Sequence, residues 1–85
     1  MVDAMDSWND VVRTRLRAVM NERGETVRSL AAKLGRSANW VQKRLQGITM
    51  FTLDEASDFT AALGLDWGEF NTSTRAEWQS RRRGG

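Results

Sequence analysis

The chain has 85 residues, which leaves room for one small domain, because independently folding domains usually span about 50 to 200 residues. It contains no cysteine and no histidine, which excludes disulfides, thiolate metal sites and cysteine nucleophiles and removes the commonest general base. The formal net charge is +2, and no apolar run approaches the ~20 residues that cross a membrane, so we expect a soluble intracellular domain.

The charges are distributed unevenly along the chain. Residues 13–47 contain nine arginines and lysines and two glutamates, whereas residues 48–78 contain six acidic residues and one arginine. This asymmetry predicts a basic working face and an acidic opposite face. Arginine dominates the basic set, and its planar guanidinium group suits phosphate and guanine better than the lysine ammonium group does.

The first helix is predicted to begin at Asp6 or Ser7 and to end at Gly24. Ser7 and Asp10 form a variant of the capping box, in which side-chain oxygens accept hydrogen bonds from free backbone N–H groups. Residues 1–6 are expected to be disordered. The apolar residues that recur at helical spacing are Trp8, Val11, Val12, Leu16, Val19 and Met20.

Two short helices are predicted next. The second begins at Thr26 and ends at Gly35, and the third begins at Ser37 and ends at Gly47. Two helices of about eight to ten residues, joined by a short glycine turn, make a helix-turn-helix. Their apolar faces consist of Val27, Leu30, Ala31 and Leu34 in the second helix and of Ala38, Val41 and Leu45 in the third.

The fourth helix is predicted from a capping box at Thr52 and Glu55 to Gly64. Capping explains the adjacent carboxylates of Asp54 and Glu55, so we assign no acid–base chemistry to them and expect no enzymatic activity. The apolar face of this helix consists of Leu53, Ala56, Phe59 and Leu63.

The C-terminal third is predicted to be broken into short pieces. Asp66 and Glu69 could cap one helical turn that docks Trp67 and Phe70 on the core, and Thr74 could cap a separate short helix through Trp78. Together these elements predict an all-α fold, a compact domain of four to five helices over residues 7–70. A C-terminal extension with a basic tail follows over residues 71–85.

The outward face of the third helix carries the most informative side chains. With Val41 and Leu45 directed inward, a step of about 100° per residue directs Asn39, Trp40, Lys43 and Gln46 away from the core and places Gln42 and Arg44 on the flanks. Amides pair with adenine and cations with guanine, so this face suits the major groove of B-DNA. Trp40 has two interpretations: contact with thymine methyls or sugars, or packing under the apolar loop of Met50 and Phe51.

The segment 26–70 carries a recognisable pattern, T-x-x-x-L-A-x-x-L-G-x-S-x-x-x-V, followed by Q-G and by T-L-x-x-A-x-x-x-x-x-A-L-G-L. This pattern resembles the Cro/repressor, or lambda repressor-like, family of helix-turn-helix DNA-binding proteins, and the third helix resembles that of small phage regulators. The residues that carry the resemblance are Thr26, Leu30, Ala31, Leu34, Gly35, Ser37, Val41, Gly47, Leu53, Ala56, Ala62, Leu63, Gly64 and Leu65.

The resemblance implies a lambda repressor-like fold and a sequence-specific transcriptional regulator that binds double-stranded DNA. Such a protein, a phage or prophage repressor or a Cro-like protein, would act by occupying its operator, without cofactor or metal, in the bacterial cytoplasm at the nucleoid. The implied DNA-binding residues, together with the basic tail, are Thr26, Arg28, Arg36, Ser37, Asn39, Trp40, Gln42, Lys43, Arg44, Arg81, Arg82 and Arg83. Arg36 departs from the small apolar residue usual in the family, so it either covers the core or adds a phosphate contact.

Several alternatives remain open at this point. The arginines of the first helix, Arg13, Arg15 and Arg17, are expected to form mostly a solvated surface. The Arg81–Arg83 run is either an arm that follows phosphates or a solubilising tail, and we favour the arm. A homodimer through the acidic, aromatic C-terminal third and a monomer aided by the tail are both compatible with the sequence. The main rival function is a protein-interaction module, an antitoxin or a modulator of the transcription machinery.

Overall fold

The computed structural model describes residues 7–84, with side chains described as far as Arg81, and contains five α-helices. They are α1 (Trp8–Arg23), α2 (Val27–Leu34), α3 (Ala38–Gln46), α4 (Leu53–Ala62) and α5 (Trp67–Gly84). No β-strand occurs over this part of the chain, which confirms the prediction of an all-α fold with four to five helices. Within it, no helix is long and apolar enough to cross a membrane. The predicted disorder of residues 1–6 falls outside the described residues.

Local capping sets the starts of the first four helices. The hydroxyls of Ser7, Thr26, Ser37 and Thr52 each accept a hydrogen bond of 3.0–3.1 Å from the backbone N–H three residues later. Each bond satisfies one of the N–H groups that a helix start leaves without a partner. All four starts were predicted. In α2 the reciprocal bond comes from the hydroxyl of Ser29, which accepts from the Thr26 N–H at 3.0 Å.

The core lies where α1, α2, α3 and α4 meet, with the first turns of α5 closing one side. α2 packs on α3 and α4, whereas α5 packs on α1 and α4. Phe51 and Phe59 meet edge to face at its centre, with ring centroids 4.9 Å apart. The residues of this core are Val12, Leu16, Met20, Leu30, Ala31, Val41, Leu45, Phe51, Ala56, Phe59, Leu63 and Phe70. Leu53 is 63% exposed, so its predicted place in the buried face of α4 is wrong; the buried face begins one turn later at Ala56.

The C-terminal third forms one continuous helix, α5, where the sequence predicted two short ones. Asp66 caps its start, since one carboxylate oxygen accepts from the Gly68 N–H at 2.8 Å. Thr74, predicted to cap a separate helix, is fully buried inside α5, and its hydroxyl has no hydrogen-bond partner among the described residues. α5 therefore runs without a break across the predicted boundary between domain and extension at residue 70. Phe70 is buried and Trp67 packs against the core, in agreement with their predicted docking.

The arginines of α1 bond within the protein, and only Arg17 of the three expected to form a mostly solvated surface is exposed. Arg13 donates to the carbonyl of Arg44 at 3.0 Å, and Arg17 donates to that of Leu45 at 3.1 Å. Both acceptors are among the last carbonyls of α3, which lack partners in a following helical turn; the Arg44 carbonyl also accepts from the N–H of Gly47, the residue that ends the helix. Arg15 faces α5 instead, where it donates to Ser73 at 2.7 Å and pairs with Glu77.

Candidate nucleic-acid interface

α2 and α3 are connected by only three residues, Gly35 to Ser37. Gly35 has a left-handed φ of 67°, which glycine adopts without steric cost, and its N–H bonds back into the end of α2. Ala31, 4% exposed, and Val41, fully buried, lie on the inner sides of the two helices. These buried anchors leave the opposite side of α3 directed away from the core.

That opposite side is an exposed polar stripe. Asn39, Lys43 and Gln46 are exposed, and none of their side chains makes a hydrogen bond or ion pair with other described residues. Gln42 is half-buried at the edge of the stripe. The spacing of these four residues, three and four apart, places them along one side of the helix. α3 contains no acidic residue, so the stripe combines amides and a cation without an opposing carboxylate of its own.

Gln42 and Gln46 also border an open groove of about 620 Å³ between α1, α3 and the start of α2. Its other walls include Arg17 and Asn21 of α1 and Glu25, which precedes α2. Gln42 lies on the flank of α3, as the helical geometry predicted. Its predicted base-reading role therefore depends on a side chain that is only partly exposed.

Trp40 does not point away from the core, and that prediction is wrong. Its ring packs against the core and stacks on Phe59, with centroids 5.9 Å apart and planes 24° from parallel. Arg44 lies over the same ring, with its guanidinium carbon 3.7 Å from the centroid, and Arg36 lies at 4.7 Å. We call these three residues the Arg36–Trp40–Arg44 cluster. The step of about 100° per residue does not predict that a long side chain at the border of the apolar face turns toward the core.

Arg44 is held by Glu55 of α4 and is not presented to solvent as a free phosphate clamp. Two hydrogen bonds of 3.1 Å join its Nε and Nη2 to the two carboxylate oxygens, and its side chain is 12% exposed. These bonds lower the pKa of Glu55 from its ordinary value of 4.5, against a desolvation effect that raises it. The Thr52 N–H and the charges of Arg44 and Arg36 act in the same direction as the bonds. The predicted role of Arg44 on DNA would require it to leave this pair.

The remaining predicted residues around α2 and α3 divide into capping and free groups. Thr26 and Ser37 are exposed but serve as the N-caps of α2 and α3. Arg28, in the first turn of α2, is exposed and makes no hydrogen bond or ion pair among the described residues. Arg36 is exposed as well and makes no hydrogen bond or ion pair among the described residues; it stacks on Trp40, and its charge acts on Glu55. Arg28, Arg36 and Lys43 are thus the uncommitted cations of α2, α3 and their connection.

The basic tail continues α5. Arg81 pairs with Glu77 at 2.6 Å, one helical turn earlier, and Glu77 also pairs with Arg15 of α1. Arg81 is therefore tied to the α1–α5 contact. Arg82 and Arg83 lie in the last turn of α5, and their side chains fall outside the described part of the structure.

Sequence reasoning missed the connection between α3 and α4. Asn9, 5% exposed, bonds through its side-chain amide to both main-chain polar groups of Phe51. On the outer side, Ile48 and Met50 are 69% and 67% exposed. The sequence showed that this loop is unusually apolar, but nothing local to it indicated which of its residues would be buried.

Comparison of the chain with protein-family models, curated protein sequences and solved structures finds no match. Within the described residues, no group of three or more histidine, cysteine, aspartate or glutamate side chains is placed to hold a metal ion.

Proposed function

We propose that the protein is a sequence-specific regulator that binds double-stranded DNA by inserting α3 into the major groove. The observation that carries this proposal is the stripe of exposed Asn39, Lys43 and Gln46, with half-buried Gln42 at its edge, which projects amides and a cation from a helix without acidic residues. An α-helix fits the major groove, where amides pair with adenine and lysine with guanine.

The surroundings of α3 support this proposal. In this proposal, the helix-turn-helix is of the lambda repressor-like type and consists of α2, residues 35–37 and α3. Arg28 and Arg36 lie at the two ends of α2 and would contact phosphates on either side of the inserted helix. Phosphate contacts supply affinity and set the register, whereas contacts to base edges supply specificity. The regulator would act by occupying an operator that the transcription machinery needs.

The decisive experiment selects genomic fragments with the full chain and then measures binding of a recovered duplex by mobility shift. Asn39→Ala and Lys43→Ala should weaken the recovered site by about 1–3 kcal/mol each and random duplex much less. Gln79→Ala and Arg75→Ala are the matched controls for an amide and a cation, because both side chains are exposed and lie on α5, away from α3. Absence of binding to any duplex at about 50 mM salt would refute the proposal, because nonspecific phosphate binding alone is strong under that condition.

A second candidate function is supported by the surface beside α4. Ile48, Met50 and Leu53 are each more than 60% exposed, and Asp54 and Asp58 are exposed on the neighbouring helix. Large exposed apolar side chains next to charge are typical of protein-binding surfaces. This protein-interaction alternative predicts that Met50→Ser abolishes co-purification of a partner. The DNA proposal predicts that Met50→Ser leaves the affinity for the recovered duplex within about two-fold of wild type, since Met50 offers no charge to phosphate.

A further inference from the structure

The Arg36–Trp40–Arg44 cluster combines one uncommitted cation with one committed cation on the same aromatic ring. Arg44 is fixed by its two hydrogen bonds to Glu55. Its Nη1 also donates to the Trp40 carbonyl at 3.2 Å. Trp40 in turn is fixed from the core side by Phe59. The ring is therefore held in place by the core and by an ion pair, independently of Arg36.

Arg36 uses this fixed ring as its support. Its guanidinium carbon lies 4.7 Å from the ring centroid, within the distance at which a cation is attracted to an indole face. The side chain is exposed, and it precedes Ser37, the N-cap of α3. An unsupported arginine at this position would sample many rotamers and would lose that freedom on binding a ligand. Stacking restricts the rotamers beforehand and leaves the N–H donors at the guanidinium edge available.

Nearby acidic groups do not bind Arg36. Asp58 lines the same shallow groove as Arg36, Trp40 and Lys33, yet Asp58 makes no ion pair with Arg36. Glu55 is near enough for the charge of Arg36 to act on it, but it uses both carboxylate oxygens on Arg44. The guanidinium of Arg36 therefore remains available to an external anion at the start of α3, where a phosphate of a bound duplex would lie in the proposed function.

We propose that Trp40 is a positioning residue that holds the guanidinium of Arg36 ready for a backbone phosphate beside the N-terminus of α3. This inference rests on the proposed function. It replaces the base-reading role that the sequence suggested for Trp40 and unites the two roles suggested for Arg36, which covers the outer side of the core and contacts phosphate at the same time.

The test measures the affinity for a recovered genomic duplex at several salt concentrations. Arg36→Ala should weaken binding and reduce the slope of log K against log salt by about 0.9, the value for one lost phosphate contact. Trp40→Leu should weaken binding by about two- to five-fold, the contribution of one exposed cation–π contact. In the Arg36→Ala background, Trp40→Leu should cause no further loss. An equal loss in both backgrounds would overturn the inference, because Trp40 would then support binding only through the fold.

Two further measurements keep the test informative if Trp40→Leu does not fold. Arg36→Lys retains the charge but loses the planar stacking group, so it should weaken binding by about two- to five-fold with an unchanged salt slope. Binding equal to that of the wild type would overturn the inference. In the free protein, the nuclear magnetic resonance signal of the Arg36 Hε proton should be shifted upfield by the indole ring. An unshifted Arg36 Hε signal would overturn the inference, and this measurement requires no DNA.

The outcomes separate the inference from the function on which it rests. If the wild type binds no duplex, the proposed function fails, whatever the Arg36 signal shows. Suppose instead that the wild type binds, but Arg36→Lys binds as tightly as the wild type or Trp40→Leu causes a further loss in the Arg36→Ala background. Only the positioning role of Trp40 then fails.

Discussion

The side-chain amide of Asn9 exchanges two hydrogen bonds of 2.9 Å with the main chain of Phe51, 42 residues away. Its Nδ2 donates to the Phe51 carbonyl, and its Oδ1 accepts from the Phe51 N–H, so the amide takes the place of a neighbouring peptide group. Both groups are buried. The start of α1 thereby holds the loop after α3 and directs the Phe51 ring onto Phe59.

Asn9→Ala should destabilise the fold by about 2–4 kcal/mol, because it leaves a buried N–H and a buried carbonyl without partners. Urea unfolding followed by circular dichroism measures the effect. Asn21→Ala, an exposed position on the same helix, is the matched control and should change stability by less than about 0.5 kcal/mol. Equal effects of the two substitutions would show that the Asn9 bonds contribute nothing to stability.

The pair of Arg44 and Glu55 makes stability depend on acid pH. Hydrogen bonds from Arg44 lower the pKa of Glu55 below 4.5 in the folded protein. The stabilisation from ionised Glu55 is therefore complete above that value and is lost as the pH falls through the lowered folded pKa. Glu55→Gln should flatten the decline in urea midpoint between about pH 5 and pH 3. An unchanged decline in this variant would contradict the assignment. Glu25, whose pKa is also lowered by its bonds to Lys33 and Ser29, should account for part of the decline that remains.

The continuity of α5 can be tested with one proline. Thr72 is exposed in the interior of α5, between Phe70 and Thr74. Thr72→Pro removes a helical hydrogen bond and clashes with the preceding turn, so it should cost about 3 kcal/mol or more. Thr72→Ala should be nearly neutral in the same thermal or urea unfolding experiment. If the helix were interrupted here, as the sequence suggested, proline would be tolerated.

The salt dependence of DNA binding should identify which cations contact phosphate. Arg28→Ala and Arg36→Ala should each reduce the slope of log K against log salt by up to about 0.9 on nonspecific duplex. Arg75→Ala removes the same charge from α5, which packs on α1 and α4 and not on α2 or α3, and should leave the slope unchanged. Equal slopes for all three variants would place the DNA elsewhere on the surface.

The parts of the structure that the sequence predicted are those determined by neighbouring residues. The hydroxyl caps at Thr26, Ser37 and Thr52 act within one turn, and Gly35 and Gly47 end their helices locally, so their spacing predicts the helix bounds. The outward direction of Asn39 and Lys43 follows from helical periodicity once Val41 is buried. In α5, by contrast, Thr74 resembled a cap, but its burial against the rest of the fold overrides that local preference.

The parts that the sequence did not predict depend on residues far apart in the chain. Asn9 binds Phe51, Arg13 reaches the end of α3, and Arg44 pairs with Glu55. An arginine has the same appearance in a sequence whether it faces water or a distant carbonyl. Counting the basic residues of segment 13–47 therefore overestimated the charge that is free for a partner.

The bonds from Arg13 and Arg17 to the last carbonyls of α3 affect the electric field of that helix. Aligned peptide dipoles give a helix a partial positive charge at its beginning and a partial negative charge at its end. The two guanidinium groups of α1 compensate the negative end of α3, whereas the positive end at Ser37 has no acidic side chain in the first turn. The guanidinium of Arg13 also pairs with Asp10, so Arg17 supplies most of the uncompensated positive charge at this end. The end of α3 that would otherwise repel an approaching polyanion is thus neutralised from a different helix, and Arg17→Ala would restore part of that repulsion.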